Sequence, residues 1–290
     1  MPRPGSPPSC GALPGRRGND RMNAFLRLPA ERRRLLCEEG QQRLGLTPAS
    51  IEKDFWVCWT LWELFGLPQW GEHLTFKGGT SLSKGWRLTP AGEEEDPDQQ
   101  TLLFHYPSVF TDSVGYVRPV VKIELGARSE TEPVENPIIK PYLAEAFPDL
   151  LGDSAFALKT VAAERTFWEK AMLLHEEGFR PADKPRRVRL SRHYYDLWCL
   201  IRKGIAAQAT TDPELFNRVA RHRQIFFKVR WVNYDTLRKG TLRLLPPPEQ
   251  LSDWRRDYEA MRKEMFFDEP PSFDEVLAVI RQFEETFNLL

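Results

Sequence analysis

The segment Phe76–Lys84 contains the residue types best suited to hold a phosphate group. Gly78 and Gly79 let the backbone adopt positive φ and pass close to a ligand. Ser81 follows at the expected start of a helix, where its hydroxyl lies beside free N–H groups. The spacing matches neither the P-loop nor the G-x-G-x-x-G pattern. The segment therefore predicts a phosphate-binding turn, with an ordinary strand-to-helix turn as the alternative.

Charged residues near this turn are candidates for charge neutralisation and for metal binding. Lys77 and Lys84 flank the glycines and can act as point charges on a triphosphate, although most lysines are simply exposed to solvent. In the expected strand 117–125, Lys122 and Glu124 share one face. A carboxylate on such a strand can hold Mg²⁺, whereas two-metal phosphoryl transfer needs two or three carboxylates. The alternative is an exposed ion pair between Lys122 and Glu124.

Two later helices carry a lysine and an aspartate that are candidates for catalysis. Lys170 lies in the expected helix 162–175, where it can reach a phosphate or face solvent. Asp196 lies among aromatic and apolar residues in the expected helix 191–202, one turn beyond Arg192. An acidic residue in such surroundings is either the buried partner of a cation or a site residue.

The loop that leads into the second of these helices, between Lys184 and Arg192, is rich in basic residues. It contains Arg186, Arg187 and Arg189. Because Lys and Arg supply most contacts to phosphates, this cluster predicts a contact with acceptor RNA. As an RNA-binding module of its own, the loop lacks the aromatic stacking platform typical of proteins that bind single strands.

The composition limits the classes of protein to which the chain can belong. Its 290 residues are 41% hydrophobic, which is enough for one large domain or two small ones. The 41 basic and 41 acidic residues cancel, so any contact with nucleic acid must come from a local patch. Four cysteines without metal-binding spacing indicate reduced thiols in a cytoplasmic protein. Neither a membrane span nor a secretory signal is expected.

The order of the expected elements predicts an α+β fold, with a small mixed sheet flanked by helices and then a helical C-terminal region. Residues 1–21 are interpreted as a disordered tail or as the result of a start codon assigned too early. Residues 22–160 are expected to form the α+β domain, and residues 161–290 the helical domain. The α+β domain is expected to contain helices at 29–44 and 51–64 and strands at 74–76, 117–125 and 156–161. The helical domain is expected to contain helices at 162–175, 191–202, 214–229, 251–265 and 273–287.

Taken together, these motifs resemble the AbiEii/AbiGii-type nucleotidyltransferase toxins, relatives of the DNA polymerase β-like superfamily. The resemblance rests on the glycine turn, the strand with Lys122 and Glu124, the two later helices and the helix before the turn. The segments concerned are Phe76–Lys84, Val117–Thr131, Val161–His175, Leu190–Leu200 and Ile51–Trp62. Each motif is weak alone, but their combination and order are fairly specific, and together they cover most of residues 22–202.

The resemblance implies an Mg²⁺-dependent nucleotidyltransferase toxin of a toxin–antitoxin, or abortive infection, system that uses an NTP. The residues that would bind the nucleotide phosphates are Lys77, Gly78, Gly79 and Ser81. The residues that would act beside the reacting groups are Ser81, Lys84, Lys170 and Asp196. Glu124 would match the third metal-binding carboxylate of the superfamily. The implied partners are a separate antitoxin protein and, as in some family members, the 3′ end of tRNA, contacted through the arginines of the basic loop.

The chain departs from the family pattern directly after the glycine turn. There the family has a strand Ser-Glu-Asp-Ile-Asp, whose two aspartates bind the catalytic metals. An acidic loop takes its place in this chain, and Pro97 between Asp96 and Asp98 removes a hydrogen-bond donor that a strand needs. Only a few residues separate this loop from the next apolar residues in the sequence, which begin at Leu102. Many family members have a long insert there, which indicates an internal deletion near residues 88–100.

Two hypotheses follow from this departure. In the first, Asp96 and Asp98 replace the missing pair and hold Mg²⁺ together with Glu124. In the second, the chain is a degenerate, inactive homologue that binds nucleotide or the antitoxin without chemistry. Three carboxylates within about 5–6 Å of a common point would favour the first hypothesis, and an acidic loop turned into solvent would favour the second.

Overall fold

The computed structural model describes residues 19–78, 101–110, 118–126, 130–152, 154–186, 188–265 and 270–289. Helices and a few short strand ladders alternate in the N-terminal half, and the described residues of the C-terminal half contain helices without strands. The predicted α+β class is therefore confirmed. Within these stretches, no helix combines the length and the apolar character that crossing a membrane requires.

Three helices form at the N-terminus, and the second and third of them lie close to the predicted positions. Helix α1 spans Asn19–Leu26, α2 spans Ala30–Leu44 and α3 spans Pro48–Phe65. Thr47 caps α3, because its hydroxyl accepts a hydrogen bond of 3.2 Å from the N–H of Ser50. The proline that follows Thr47 suits the first turn of a helix, where no N–H is needed.

The strands that the structure describes form three antiparallel ladders of two strands each. The pairs are β1 (Thr101–His105) with β2 (Val120–Glu124), β3 (Val134–Glu135) with β6 (Thr160–Val161), and β4 (Ile138–Ile139) with β5 (Phe156–Ala157). The predicted strand at 74–76 is reduced to one parallel bridge between Phe76 and Thr160. The predicted strand at 156–161 is divided, because its two halves pair with different partners.

One hydrophobic core joins the N-terminal helices to β2 and to two short helices, α4 (Tyr142–Ala146) and α5 (Pro148–Leu151). Its buried residues include Phe25, Ile51, Phe55, Trp56, Val121, Leu143 and Leu151. Glu52 of α3 adds a polar connection, since it accepts hydrogen bonds from Ser108 Oγ at 2.6 Å and from the N–H of Val109 at 2.9 Å. Helix α3 thus supports both the ladder and the loop that follows β1.

A second core fills the C-terminal half. Its helices are α6 (Ala163–Glu177), α7 (Arg192–Arg202), α8 (Ile205–Thr210), α9 (Pro213–Phe226), α10 (Leu251–Met265) and α11 (Phe273–Leu289). Helix α6 buries Phe167, Trp168 and Ala171 in this core at helical spacing. Trp168 also donates a hydrogen bond from Nε1 to the carbonyl of Ala209 at 3.2 Å. The position of α6 is thereby fixed, and its charged residues form the candidate site.

Candidate functional site

A buried ion pair between α6 and α7 lies at the centre of the candidate site. Lys170 Nζ donates to Asp196 Oδ2 at 2.6 Å, and it lies 3.4 Å from His193 Nδ1. His193 and Asp196 are three residues apart, so both side chains project from the same face of α7. All three residues are buried. Of the two interpretations open for Asp196, the structure shows the buried partner of a cation, and it brings two predicted site residues into contact.

The imidazole of His193 is neutral in these surroundings. Its burial, followed by the positive charges of Lys170, Arg192 and Arg223, holds the pKa of His193 well below the usual range of histidine. An ammonium group can only donate hydrogen bonds, so the contact with Lys170 needs Nδ1 as the acceptor and places the proton on Nε2. Lys170 is therefore held between a carboxylate and a neutral ring.

The glycine turn begins beside the N-terminus of α6. The N–H of Phe76 donates to the carbonyl of Lys159 at 2.8 Å, and the N–H of Val161 donates to the carbonyl of Phe76 at 2.9 Å. Gly78 has a φ of 97°, a conformation that residues with side chains rarely adopt. These contacts fix the start of the turn against the residues that lead into α6. Gly79, Ser81 and Lys84 lie outside the described residues.

Lys77 is connected to α6 through an ion pair with Glu169, which also pairs with Arg165. Its Nζ lies 3.4 Å from Glu169 Oε2, and Arg165 Nε donates to Glu169 Oε1 at 3.1 Å. Glu169 is therefore shared between a lysine of the glycine turn and an arginine one turn earlier on α6. Because Glu169 directly precedes Lys170, the glycine turn and the buried ion pair meet at neighbouring residues of one helix.

Two arginines, Arg165 and Arg223, hold the residues around Glu169 in place. Arg165 is fully buried, and its Nη1 donates to the carbonyl of Glu132 at 2.6 Å. Arg223 of α9 donates from Nε and Nη2 to the two carboxylate oxygens of Glu176, at 2.7 and 2.6 Å. Its Nη1 also lies 3.4 Å from the carbonyl of Glu169. Paired and bidentate contacts of this kind are among the strongest hydrogen bonds in proteins, so this part of α6 is firmly supported.

Glu124 lies at the end of β2, and its side chain is 63% exposed. Its Oε1 lies 2.9 Å from Nζ of Lys122, so the ion pair considered as the alternative is present. The side chain of Lys122 is only 14% exposed, whereas the carboxylate of Glu124 reaches solvent. The carboxylate of Glu124 therefore remains accessible to a cation that competes with Lys122.

The described residues do not complete a metal centre by themselves. Among them, no group of three His, Cys, Asp or Glu side chains is placed to hold a metal ion, and Asp96 and Asp98 lie outside them. In the sequence, Asp98 precedes Thr101 by three residues, and Thr101 is the ladder partner of Glu124. Three carboxylates are a set of hard oxygen donors, which suits Mg²⁺.

The basic loop that was expected to contact RNA is packed against the C-terminal helices. The side chain of Arg186 is only 15% exposed, and its guanidinium carbon lies 4.0 Å from the ring centroid of Trp254. The N–H of Arg189 donates to Asp257 Oδ1 at 2.6 Å, whereas Arg187 lies outside the described residues. The partial burial of Arg186 indicates a structural role for this side chain, and the contact of the loop with RNA stays a prediction.

Three residues of the site, Arg165, Glu169 and His193, were not assigned a role by sequence reasoning. Arg165 and Glu169 are four residues apart on a helix, which is a recognised signal of an ion pair. A solvated helix face is the commoner explanation of such a pattern, and the sequence does not show that Arg165 is buried. His193 is 23 residues from Lys170 in the sequence, so their contact depends on tertiary packing alone.

Comparison with known protein families identifies the class as nucleotidyl transferase toxins. Residues 87–279, about two thirds of the chain, match the family described as nucleotidyl transferase AbiEii toxin, type IV toxin–antitoxin system. The chain therefore belongs to the AbiEii family, as its motifs predict. The match includes the residues of β1, β2, α6 and α7, and it begins after the glycine turn. Comparison with curated proteins and with solved structures found no match.

Proposed function

We propose that the protein is an Mg²⁺-dependent enzyme that transfers a nucleotide from an NTP to an acceptor, the 3′ end of a tRNA. The junction between the glycine turn and α6 carries this proposal. Lys77 pairs with Glu169, the neighbour of Lys170, at 3.4 Å. A triphosphate held by the turn would therefore lie beside the charged residues of α6.

The chemistry of the described residues suits this reaction. Gly78 allows the backbone to approach the phosphates, and Lys77 would neutralise part of their charge. Lys170, held in place by Asp196, would stabilise the charge that develops in the transition state. Catalysis of this kind consists mainly of positioning and charge neutralisation. Further residues proposed for phosphate binding and catalysis are Gly79, Ser81 and Lys84.

In the proposed reaction, a hydroxyl oxygen of the acceptor attacks the α-phosphorus of the NTP. A phosphorus–oxygen bond forms to the acceptor, and the bond from the α-phosphorus to the bridging oxygen breaks. Pyrophosphate leaves with the bridging oxygen, and the proton of the hydroxyl passes to water. The protein contributes geometry and positive charge to this exchange.

The proposed Mg²⁺ site consists of Glu124 together with Asp96 and Asp98. Mg²⁺ is usually bound by one or two carboxylates and by the phosphates of the substrate, so this donor set suits the ion. When bound, the ion would supply charge stabilisation at the phosphates. The ladder supports the proposal, because Glu124 pairs with Thr101, three residues after Asp98.

The family assignment implies a cognate antitoxin as the partner of this toxin. We propose that the antitoxin is a separate protein. We also propose that the toxin acts in the cytoplasm, where both NTPs and tRNA are present.

A transfer assay tests the proposed function. Purified protein is incubated with Mg²⁺, total tRNA and each radiolabelled NTP, and labelled tRNA is expected with at least one of them. Lys170→Met is expected to reduce transfer by about 100-fold or more, because it removes a charge from the reacting centre. Lys203→Met, which changes an exposed lysine at the end of α7, is the matched control and should retain activity. Absence of transfer together with absence of an NTP-dependent thermal shift would overturn the proposal.

A second candidate function is a degenerate homologue that binds NTP or the antitoxin without chemistry. The ion pair of Glu124 with Lys122 favours it, because a metal ion would have to displace the ammonium group of Lys122 from this carboxylate. This candidate predicts a thermal shift with NTP that Mg²⁺ does not increase, and no labelled product. Transfer that depends on Mg²⁺ would rule it out.

A further inference from the structure

The C-terminal part of α9 and the loop after it form a basic surface that the proposed chemistry leaves unused. No Asp or Glu occurs from Leu215 to Tyr234, although the chain as a whole has no net charge. The same stretch carries the cationic residues Arg218, Arg221, Arg223, Lys228 and Arg230. A local excess of positive charge on a neutral protein attracts polyanions. We call the exposed part of this stretch, namely Arg218, Arg221, Phe226, Phe227, Lys228 and Arg230, the α9 surface.

Exposed aromatic rings lie within this basic stretch. Phe226 and Phe227 are 49% and 44% exposed, and Ile225 beside them is 64% exposed. Single exposed apolar residues need no explanation, whereas an exposed apolar patch rimmed by polar residues is typical of a binding surface. The ring of His222 lies 4.9 Å from that of Phe226 and 5.7 Å from that of Phe227. The two rings are thus partly ordered before any ligand binds, which reduces the entropy lost on binding.

Helix α9 lies directly beside the candidate site. Arg223 reaches the carbonyl of Glu169 at 3.4 Å, and Glu169 in turn pairs with Lys77 of the glycine turn. His222 accepts a hydrogen bond from the N–H of Glu130 at 3.3 Å. A single-stranded nucleic acid whose end lay at the glycine turn would therefore extend over the α9 surface.

We propose that the α9 surface binds the single-stranded end of the acceptor nucleic acid. Arg221, Lys228 and Arg230 would contact backbone phosphates, while Phe226 and Phe227 would stack on bases. A basic track combined with exposed aromatic rings is the arrangement by which proteins hold single strands. The inference rests on the proposed function, because it assigns a binding surface to the acceptor of that reaction.

Charge favours nucleic acid over a protein as the occupant of the α9 surface. The cores of protein–protein interfaces are depleted in lysine, whereas arginine and aromatic residues are common in them. Lys228 and Arg230 lie within a few residues of the exposed rings, and the stretch from Leu215 to Tyr234 contains no acidic residue. Phosphates of a single strand would neutralise these cations, and its bases would cover the rings.

Fluorescence anisotropy with a 5′-fluorescein-labelled single-stranded RNA of about 12 nucleotides tests the proposal in the absence of NTP and Mg²⁺. Phe226→Leu is expected to weaken binding about tenfold, whereas Phe226→Tyr, which keeps a stacking ring, should retain affinity. Arg221→Gln and Lys228→Gln are each expected to weaken binding and to reduce the salt slope by about 0.7. Arg32→Gln and Arg202→Gln change exposed arginines of α2 and α7 and serve as matched controls.

The outcomes separate this inference from the proposed function. Loss of affinity in the α9 variants, with normal thermal melting and unchanged controls, supports the surface. Unchanged RNA affinity in these variants, or no RNA binding by the unmodified protein, overturns it. Variants that lose binding of the antitoxin or of a second copy instead would assign the surface to a protein partner and likewise overturn the proposal. If the protein binds RNA through the α9 surface but transfers no nucleotide, the proposed nucleotide transfer is overturned and the RNA-binding proposal stands.

Discussion

The Nζ of Lys170 lies 2.6 Å from the Oδ2 of Asp196, and both residues are buried between α6 and α7. Desolvation offsets most of the attraction within such a pair, so that it adds little stability as a whole. Removal of one partner is different, because the other charge is left buried without compensation. The pair therefore links the candidate chemistry to the folding of the C-terminal half.

Asp196→Ala is expected to lower the free energy of unfolding by about 3–5 kcal/mol, because it leaves the ammonium of Lys170 buried and unpaired. The double variant Lys170→Met with Asp196→Leu should recover much of this loss without recovering nucleotide transfer. Urea titration measures the stability, and Asp253→Ala, at a site 61% exposed, is the control. A stable Asp196→Ala variant would contradict the role assigned to the pair.

Glu169→Gln is expected to raise the KM for NTP about threefold to fivefold, with a smaller effect on kcat. The reason is that Glu169 holds Lys77 at 3.4 Å, and a partly exposed ion pair of this kind is worth no more than about 1 kcal/mol. Steady-state kinetics at several NTP concentrations measure both constants. Glu72→Gln, at a site 77% exposed, should change neither of them. A fall in kcat at constant KM would show that Glu169 acts in some other way.

Acidification is expected to destabilise the protein through His175. Its Nδ1 accepts a hydrogen bond from the N–H of Arg243 at 3.0 Å, and its Nε2 lies 2.9 Å from Thr236 Oγ1. Burial lowers the pKa of His175 from 6.5 to about 4. The unfolded chain therefore binds a proton below pH 6.5 that the native protein does not bind. Stability should fall between about pH 6.5 and pH 4, by about 3 kcal/mol for this group, and this group should have no effect above that range.

Urea titrations between pH 7.5 and pH 4.5 measure this dependence. In His175→Gln the stability should vary less with pH than in the unmodified protein, while His73→Gln, at a site 70% exposed, should leave the variation unchanged. Some variation should remain in His175→Gln, because burial also lowers the pKa of His193. Identical pH dependence in His175→Gln and the unmodified protein would exclude this origin.

Arg186→Gln is expected to reduce stability by about 1–2 kcal/mol and to leave RNA affinity unchanged. The guanidinium carbon of Arg186 lies 4.0 Å from the centroid of Trp254, and such contacts reach about 2 kcal/mol when they are desolvated. Thermal melting and RNA anisotropy measure the two properties separately. Arg256→Gln, at a site 80% exposed, is the control for stability. A weaker RNA affinity at unchanged stability would restore Arg186 as an RNA contact.

The helices are predictable wherever caps and apolar spacing coincide. The start of α3 follows from Thr47 and the proline after it, and the course of α6 from the spacing of Phe167 and Ala171. Strand β1 is harder to predict, because Leu102, Leu103 and Phe104 form a uniform apolar run without a period. All three are exposed in the structure, so their apolar character does not report a buried face.

The candidate site is predictable in its residues but not in its pairings. Lys170 and Asp196 are recognisable as candidates, yet 26 residues separate them, and only the packing of α6 on α7 brings them together. The arginine cluster around Arg186 suggests an exposed surface, because the sequence does not show that Trp254 covers it. The lack of acidic residues in the α9 stretch can be read from the sequence, whereas the exposure of Phe226 is known only from the structure.

The core beneath β2 crosses the boundary of the family match. The match begins at residue 87, but Phe55 and Trp56 of α3 lie before it and pack in the same core as Val121 and Leu143. A fragment of residues 87–279 alone would lack Phe55 and Trp56 and would expose Val121 and Leu143, so an essential part of the folding unit would be missing. Recombination between relatives would accordingly have to exchange α3 and β2 together, since a crossover between them would join two surfaces that did not evolve in contact.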